Sequence, residues 1–318
     1  MKPSAPRKAL RDGFGEGLLE LGRTNPKVFV LAGDLAESTR ADRFQKAFPE
    51  RFLNMGIAEQ DMLGTAVGLS LSGRIPFVCS FSCFICPRGY DQIRISICYN
   101  NQSVKIVGSH SGITVGEDGA TAQALEDIAI MRVLPNMTVI VPADAIEARK
   151  ATIAAASTTG PVYLRLGRSA EPIVTAEGDD FQVGRANLLR EGADVALVAC
   201  GLMLHEAVVA AEALHEDGVE ATVVNLHTIK PIDESTIVEA ARRTGAVVTA
   251  EEHQVYGGMG SAVAEVLARH HPVCLEMVAV QDTFGESGKP DDLREKYGLT
   301  SKQIVEKALL AVSRKKHR

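Results

Sequence analysis

Residues 51–60, Arg51-Phe-Leu-Asn-Met-Gly-Ile-Ala-Glu-Gln60, lead into a small-residue segment, 60–72, that reads as a helix opened by Glu59. Strand-like apolar runs stand on both sides of it, Lys27-Val-Phe-Val-Leu-Ala32 before and Pro76-Phe-Val-Cys79 after. The alternation continues through Val104-Lys-Ile-Val107, Met137-Thr-Val-Ile-Val141 and Val162-Tyr-Leu-Arg-Leu166, with segments of helical length at 90–99, 124–133 and 145–156. Short strands without polar alternation, separated by helices, predict a parallel sheet covered on both faces. In the 58–71 helix Gly64 and Gly68 fall one turn apart, beside Ala66 and Ser70. So small a face predicts close approach of another element.

Past Arg168 the pattern breaks. Residues 169–190 are polar, contain Pro172, Gly178 and Gly184, and have little helical periodicity, as a domain boundary does. Strand-like runs then resume at Val195-Ala-Leu-Val-Ala199, Ala221-Thr-Val-Val-Asn225, Ala246-Val-Val-Thr-Ala250 and 273–280, with helical segments at 204–215, 234–243, 260–270 and 301–313. The expected fold is α/β in two consecutive domains, each a mostly parallel sheet flanked by helices. They occupy 1–170 and 191–318, with a linker at 171–190.

Composition narrows the function. A chain of 318 residues is long for one core and comfortable for two. Its net charge of −6 sets up no basic field for nucleic acid, and the short basic ending Lys315-Lys-His-Arg318 reads as frayed. No stretch approaches a membrane-spanning run, and residues 1–10 lack the apolar core of a signal peptide. A cytoplasmic protein with no membrane partner is expected. Six cysteines in a chain this long do not make a disulfide framework. Cys79, Cys83 and Cys86 have the C-x3-C-x2-C spacing of some iron–sulfur sites, but the apolar residues around them favour burial as small hydrophobes.

Two further strings carry a family resemblance. Phe81 and Phe84 close the run Pro76-Phe-Val-Cys-Ser-Phe-Ser-Cys-Phe84, in a chain with only 5% aromatic residues. Downstream lies Ser109-His-Ser-Gly-Ile-Thr-Val-Gly-Glu-Asp-Gly-Ala-Thr-Ala-Gln123, whose glycines permit a loop that approaches a small ligand closely. With Glu59, these strings make residues 51–168 resemble the pyrimidine-binding domain of transketolases; the rest resembles their C-terminal domain. The second string resembles the signature Gly-Glu-Asp-Gly-x-Thr-His-Gln.

That resemblance implies thiamine diphosphate as cofactor and assigns roles by position. Glu59 matches the catalytic carboxylate that hydrogen-bonds the pyrimidine nitrogen, a charge-assisted contact that favours the reactive tautomer. Phe81 and Phe84 match the stacking pair, and Asp34 an aspartate near the cofactor. Arg7, Ser38 and Arg168 match residues that contact the substrate phosphate, for which guanidinium forks are suited. His110, also counted as catalytic, and Asp118 match contacts to the sugar hydroxyls. Two positions depart from the family: Pro87 stands where a tyrosine is common, and Ala122 replaces the signature histidine.

In the second domain, Glu251-Glu-His-Gln-Val-Tyr-Gly-Gly-Met-Gly-Ser261 places glycines between strand and helix, as at a helix N-terminal anion site, but forms no nucleotide fingerprint. The resemblance makes this domain structural, with His253 near a subunit contact. Family enzymes hold Mg2+ through Gly-Asp-Gly and a later asparagine, whereas Gly33-Asp-Leu and Glu117-Asp-Gly do not continue that way. No metal ligands are therefore expected here. The resemblance implies the C-terminal subunit of a split transketolase that moves a two-carbon ketol unit between sugar phosphates. A partner N-terminal subunit would supply the metal and the diphosphate pocket, in a heterotetramer. Ala122 keeps open a 2-oxo-acid donor, as in deoxyxylulose phosphate synthase-like enzymes or 2-oxo-acid dehydrogenase beta subunits. A non-catalytic scaffold subunit is the other alternative, and Glu59 argues against it.

Overall fold

Runs such as Val28–Ala32 and Lys105–Ser109 are buried almost end to end, so they need cover on both faces, and they have it. The computed structural model describes residues 6–316; the end of the basic tail lies outside the described residues. The first sheet runs Thr228–Lys230, Thr138–Ile140, Val162–Arg165, Lys105–Ser109, Ile75–Phe81, Val28–Ala32 and Phe52–Asn54 in spatial order. All pairings are parallel except that of Thr228–Lys230, which crosses from the second region and joins antiparallel. From Val28–Ala32 the chain first steps outward to Phe52–Asn54 and then back to Ile75–Phe81 on the other side. Strand order thus reverses there, and a crevice opens beyond the carboxyl ends of the strands.

One face is covered by the helices Leu10–Thr24 and Ala145–Ser157, which pack through Phe14, Leu18, Ala148 and Ala155. On the other face lie Glu59–Leu71, the π-helix Gln92–Tyr99 and Asp127–Arg132. Their apolar residues, among them Met62, Ile93 and Met131, share one buried cluster with Val198, Val224 and Val263 of the second region.

The second sheet runs Cys274–Val280, Ala246–Gln254, Val195–Ala199, Ala221–Asn225 and Asn187–Arg190, the last antiparallel at the edge. Asn187–Arg190 lies inside the stretch read from sequence as linker, and Ala170–Pro172 pairs antiparallel with Arg7–Ala9. Edge strands pair through their backbones and keep one side solvated, so polar composition hid them.

The close approach expected at the small face of the Glu59 helix is not made among the described residues. A Cβ at Gly64 or Gly68 would meet nothing within 4 Å. Helical periodicity turns Met62, Leu63 and Ala66 inward and leaves the two glycines outward. Among the described residues no helix is long and apolar enough to cross a membrane.

Candidate active site at the carboxyl edge of the first sheet

The exits of five strands adjacent in the sheet bring these sequence-marked residues to one edge. Asp34 follows Val28–Ala32, Glu59 opens the helix after Phe52–Asn54, and Phe81 and Phe84 end Ile75–Phe81 and enter the next helix. His110 follows Lys105–Ser109, and Arg168 follows Val162–Arg165. Asp34 and His110 both adopt left-handed backbone, at φ 61° and 56°, which turns each chain sharply as it leaves the sheet. Asp34 is pinned by its N–H to Asn54 Oδ1, at 3.1 Å.

Glu59 is 5% exposed, and its Oε1 accepts from Arg88 Nη1 at 2.8 Å. The same guanidinium lies over the Phe84 ring, 4.2 Å from its centroid. Phe84 stacks on Phe81 at 5.7 Å between centroids, and Phe81 on the His110 imidazole at 3.8 Å. Carboxylate, planar cation, two phenyl rings and an imidazole thus form one continuous ladder. Ser109 Oγ lies 2.9 Å from His110 Nδ1. Burial, then the positive charges of Arg11, Arg168 and Arg40, push the imidazole pKa down to about 3. His110 is a neutral hydrogen-bonding group at working pH.

Beside it lies a field of cations. Arg40 and Arg168 join burial in lowering the pKa of Arg11, whose Nη1 donates to Ser38 O at 2.9 Å. Arg11 Nε is buried without a partner among the described residues, an unmet donor in a cationic surround. Arg40 Nε is held by Asp12 Oδ1 at 2.8 Å. Arg168 donates to Val115 O and lies 3.5 Å from Glu117 and 3.9 Å from Asp118. Arg7 stands apart from this group: its Nε donates to Ala170 O at 3.1 Å and its Nη2 lies 3.7 Å from Glu171.

A buried network fixes the ladder from below. Tyr163 OH donates to Asp127 Oδ2 at 2.6 Å, Arg165 Nε donates to the same oxygen at 2.8 Å, and Ser82 joins Tyr163 and Ser111. The loop above is walled by the second region. Gly112, at φ 85°, leaves room for Glu252, whose Oε1 accepts from Thr114 N at 2.6 Å. Gln123 Nε2 donates to Glu286 O at 2.9 Å. Ala122 is buried and apolar where the signature has a histidine.

The pattern-based reading missed Arg11, Arg40 and Arg88. Arg11 lies in the first turn of the helix Leu10–Thr24, which glycine-rich composition hid from the sequence pattern. In the second region the expected anion site is filled from within, since Glu251 accepts from Met259 N and Gly260 N at 2.6 and 2.7 Å. His253 is fully buried against Gln254 O and Ala129 N. Cys79 and Cys86 are buried, and burial lifts the Cys83 thiol to about 11. Among the described residues no three His, Cys, Asp or Glu side chains gather as a metal site.

Residues 7–172 match the model of the transketolase pyrimidine-binding domain, and residues 184–304 that of the transketolase C-terminal domain. The chain is 44% identical over 309 residues to a 6-deoxy-6-sulfo-D-fructose transketolase subunit of a Clostridium species, covering 97% of this chain and 96% of that one. It is 43% identical to a putative transketolase C-terminal section of Methanocaldococcus jannaschii, over 97% and 98% of the two chains. A split-gene transketolase solved as an inactive beta4 tetramer superposes with a TM-score of 0.90 at 51% identity, covering 96% of this chain and 98% of that one.

Proposed function

The chain belongs to the transketolase family, and from that premise we propose that it is the C-terminal subunit of a two-subunit, thiamine diphosphate-dependent transketolase. It would transfer a two-carbon ketol unit between sugars that carry an anionic group. The observation that carries this reading is the ladder in which buried Glu59 and the Phe84 face grip one planar cation. Arg88 here does what an aminopyrimidinium would do, so these residues fit the cofactor's ring. Thiamine diphosphate, when bound, supplies a nucleophilic carbon and an electron sink.

The chain's own residues do the rest. Glu59 would hold a proton at the pyrimidine nitrogen, in a setting where burial strengthens the charge-assisted bond. Phe84 and Phe81 would fix the ring plane. His110, kept neutral, can donate to or accept from a substrate hydroxyl without adding charge, and Asp118, 3.9 Å from Arg168, would accept from another hydroxyl. Arg168, Ser38 and, from the geometry, Arg11 and Arg40 would hold the anionic end of the substrate; Arg7, bonded to Ala170 and Glu171 apart from this group, would reach it only by leaving those contacts. Asp34 would line the cofactor side. No metal cluster fits among the described residues, so we assign the Mg2+ ligands to an N-terminal partner subunit. The open face at Gly64 and Gly68 and the exposed Leu71 and Tyr99 give such an assembly surface to cover. A heterotetramer follows if two such pairs associate.

The Clostridium relative is named for a sulfosugar, so phosphate and sulfonate donors belong in one test. The chain, alone and with its N-terminal partner, should be assayed with thiamine diphosphate, Mg2+ and either xylulose 5-phosphate, 6-deoxy-6-sulfofructose or pyruvate. Ketol transfer only in the pair supports the reading. Robust activity of the chain alone, or turnover of pyruvate instead of either ketose, defeats it; the pyruvate outcome would instead support the 2-oxo-acid reading that Ala122 keeps open.

A further inference from the structure

Arg88 is the last residue of the helix Ser82–Arg88 and is 46% exposed, yet its guanidinium is engaged on two sides. One side donates to Glu59 and the other faces the Phe84 ring. Its main chain is anchored independently of those two contacts, and its side chain is half exposed. Gln60 Nε2 donates to Arg88 O at 3.0 Å, and the next residue, Gly89, packs so tightly that a Cβ there would lie 2.1 Å from Leu63 Cδ1. The stem therefore starts from a fixed point, and the head is free to swing outward into water.

We propose that Arg88 is a placeholder in the pyrimidine cleft, covering Phe84 and pairing Glu59 until thiamine diphosphate displaces it. The inference rests on the cofactor reading above. A buried carboxylate left without a partner is costly, so the uncombined subunit gains from holding its own cation there. The displaced guanidinium recovers most of its hydration at the surface, so the exchange remains easy. The cofactor's apparent affinity is set partly by this competition.

The test is calorimetric titration of thiamine diphosphate, with excess Mg2+, into the chain reconstituted with its N-terminal subunit. Wild type, Arg88→Ala and Arg88→Lys are compared at low and high salt. Arg88→Ala should bind roughly five-fold tighter than wild type, the scale of one half-exposed ion pair plus one cation–π contact. Arg88→Lys, which keeps the charge but not the flat stack, should fall between, and the wild-type deficit should shrink as salt rises. Should Arg88→Ala fail to assemble, Arg88→Lys decides by the same direction. Equal or weaker binding by the variants overturns the placeholder, since Arg88 would then be inert or a cofactor contact. No binding by the wild-type pair defeats the thiamine reading itself and the placeholder with it, an outcome separate from the previous one because there the wild type binds.

Discussion

The two sheets are built alike, from short parallel strands with a crevice at their carboxyl ends, but among the described residues only the first leaves a buried guanidinium nitrogen there without a partner. At the first edge Arg11 Nε has no partner among the described residues, several cations crowd together, and Glu59 is held by a half-exposed arginine. At the second, Glu251 fills its own helix N-terminus and His253 is bonded within the chain. Glu252 reaches across to Thr114, so even its charge serves the neighbouring loop. The same architecture yields a site or a brace according to whether the chain supplies the counter-groups itself.

Paired substitutions can break that contrast. Glu59→Gln in the reconstituted enzyme should lower kcat by roughly 10²–10⁴-fold, the range for a lost proton-transfer group, with little change in melting temperature. A steady-state assay showing near-normal turnover would make the first edge a brace too. Glu251→Gln should do the opposite. It trades a carboxylate accepting two N–H groups for an amide with one acceptor, at a cost of about 1–3 kcal/mol, readable as a lower Cm in urea without a collapse in turnover.

A third effect follows from His110. Its folded pKa of about 3 lies below the unfolded value of about 6.5, so between them the unfolded chain binds more protons. Stability should therefore fall as pH drops through that window, by up to about 1.4 kcal/mol per unit from this group. His110→Asn, which suits the left-handed backbone, should flatten the slope measured by urea unfolding between pH 4.5 and 6.5. Buried His227, lowered to about 4, should leave a residual slope from the second region. An unaltered slope would mean that His110 is not held neutral by its surroundings.

The smallest effect concerns the open helix face. Gly64→Ala should stabilise the free chain by about 0.5–1 kcal/mol, since helical alanine replaces glycine with nothing in the way. The gain should vanish or reverse in the assembled pair if a partner packs there. Equal gains by thermal melting in both states would show the face to be open in the enzyme.

How much of this was legible varied with the kind of force involved. The strands could be read because buried parallel strands are apolar throughout, and Glu59, Phe81, Phe84 and His110 because they fall at strand ends in specific strings. Leu10–Thr24 could not, because Gly13, Gly15, Gly17 and Gly22 argue against a helix by propensity. Packing reverses that preference: a Cβ at Gly13 would lie 1.9 Å from Ala145 O. Losing that helix meant losing Arg11. Arg40 and Arg88 were hidden for another reason, since the partner of a long charged side chain is chosen by tertiary contacts that no local pattern encodes.

Thr228–Lys230 closes the first sheet with backbone borrowed from the second region, and the apolar layer behind it runs on uninterrupted. Severing the polypeptide after residue 175 would leave one fragment with a bare, sticky margin and the other with a dangling ribbon. Such halves should melt as a single unit when joined and precipitate when parted, so swapping this C-terminal module between relatives requires transplanting its stitch as well.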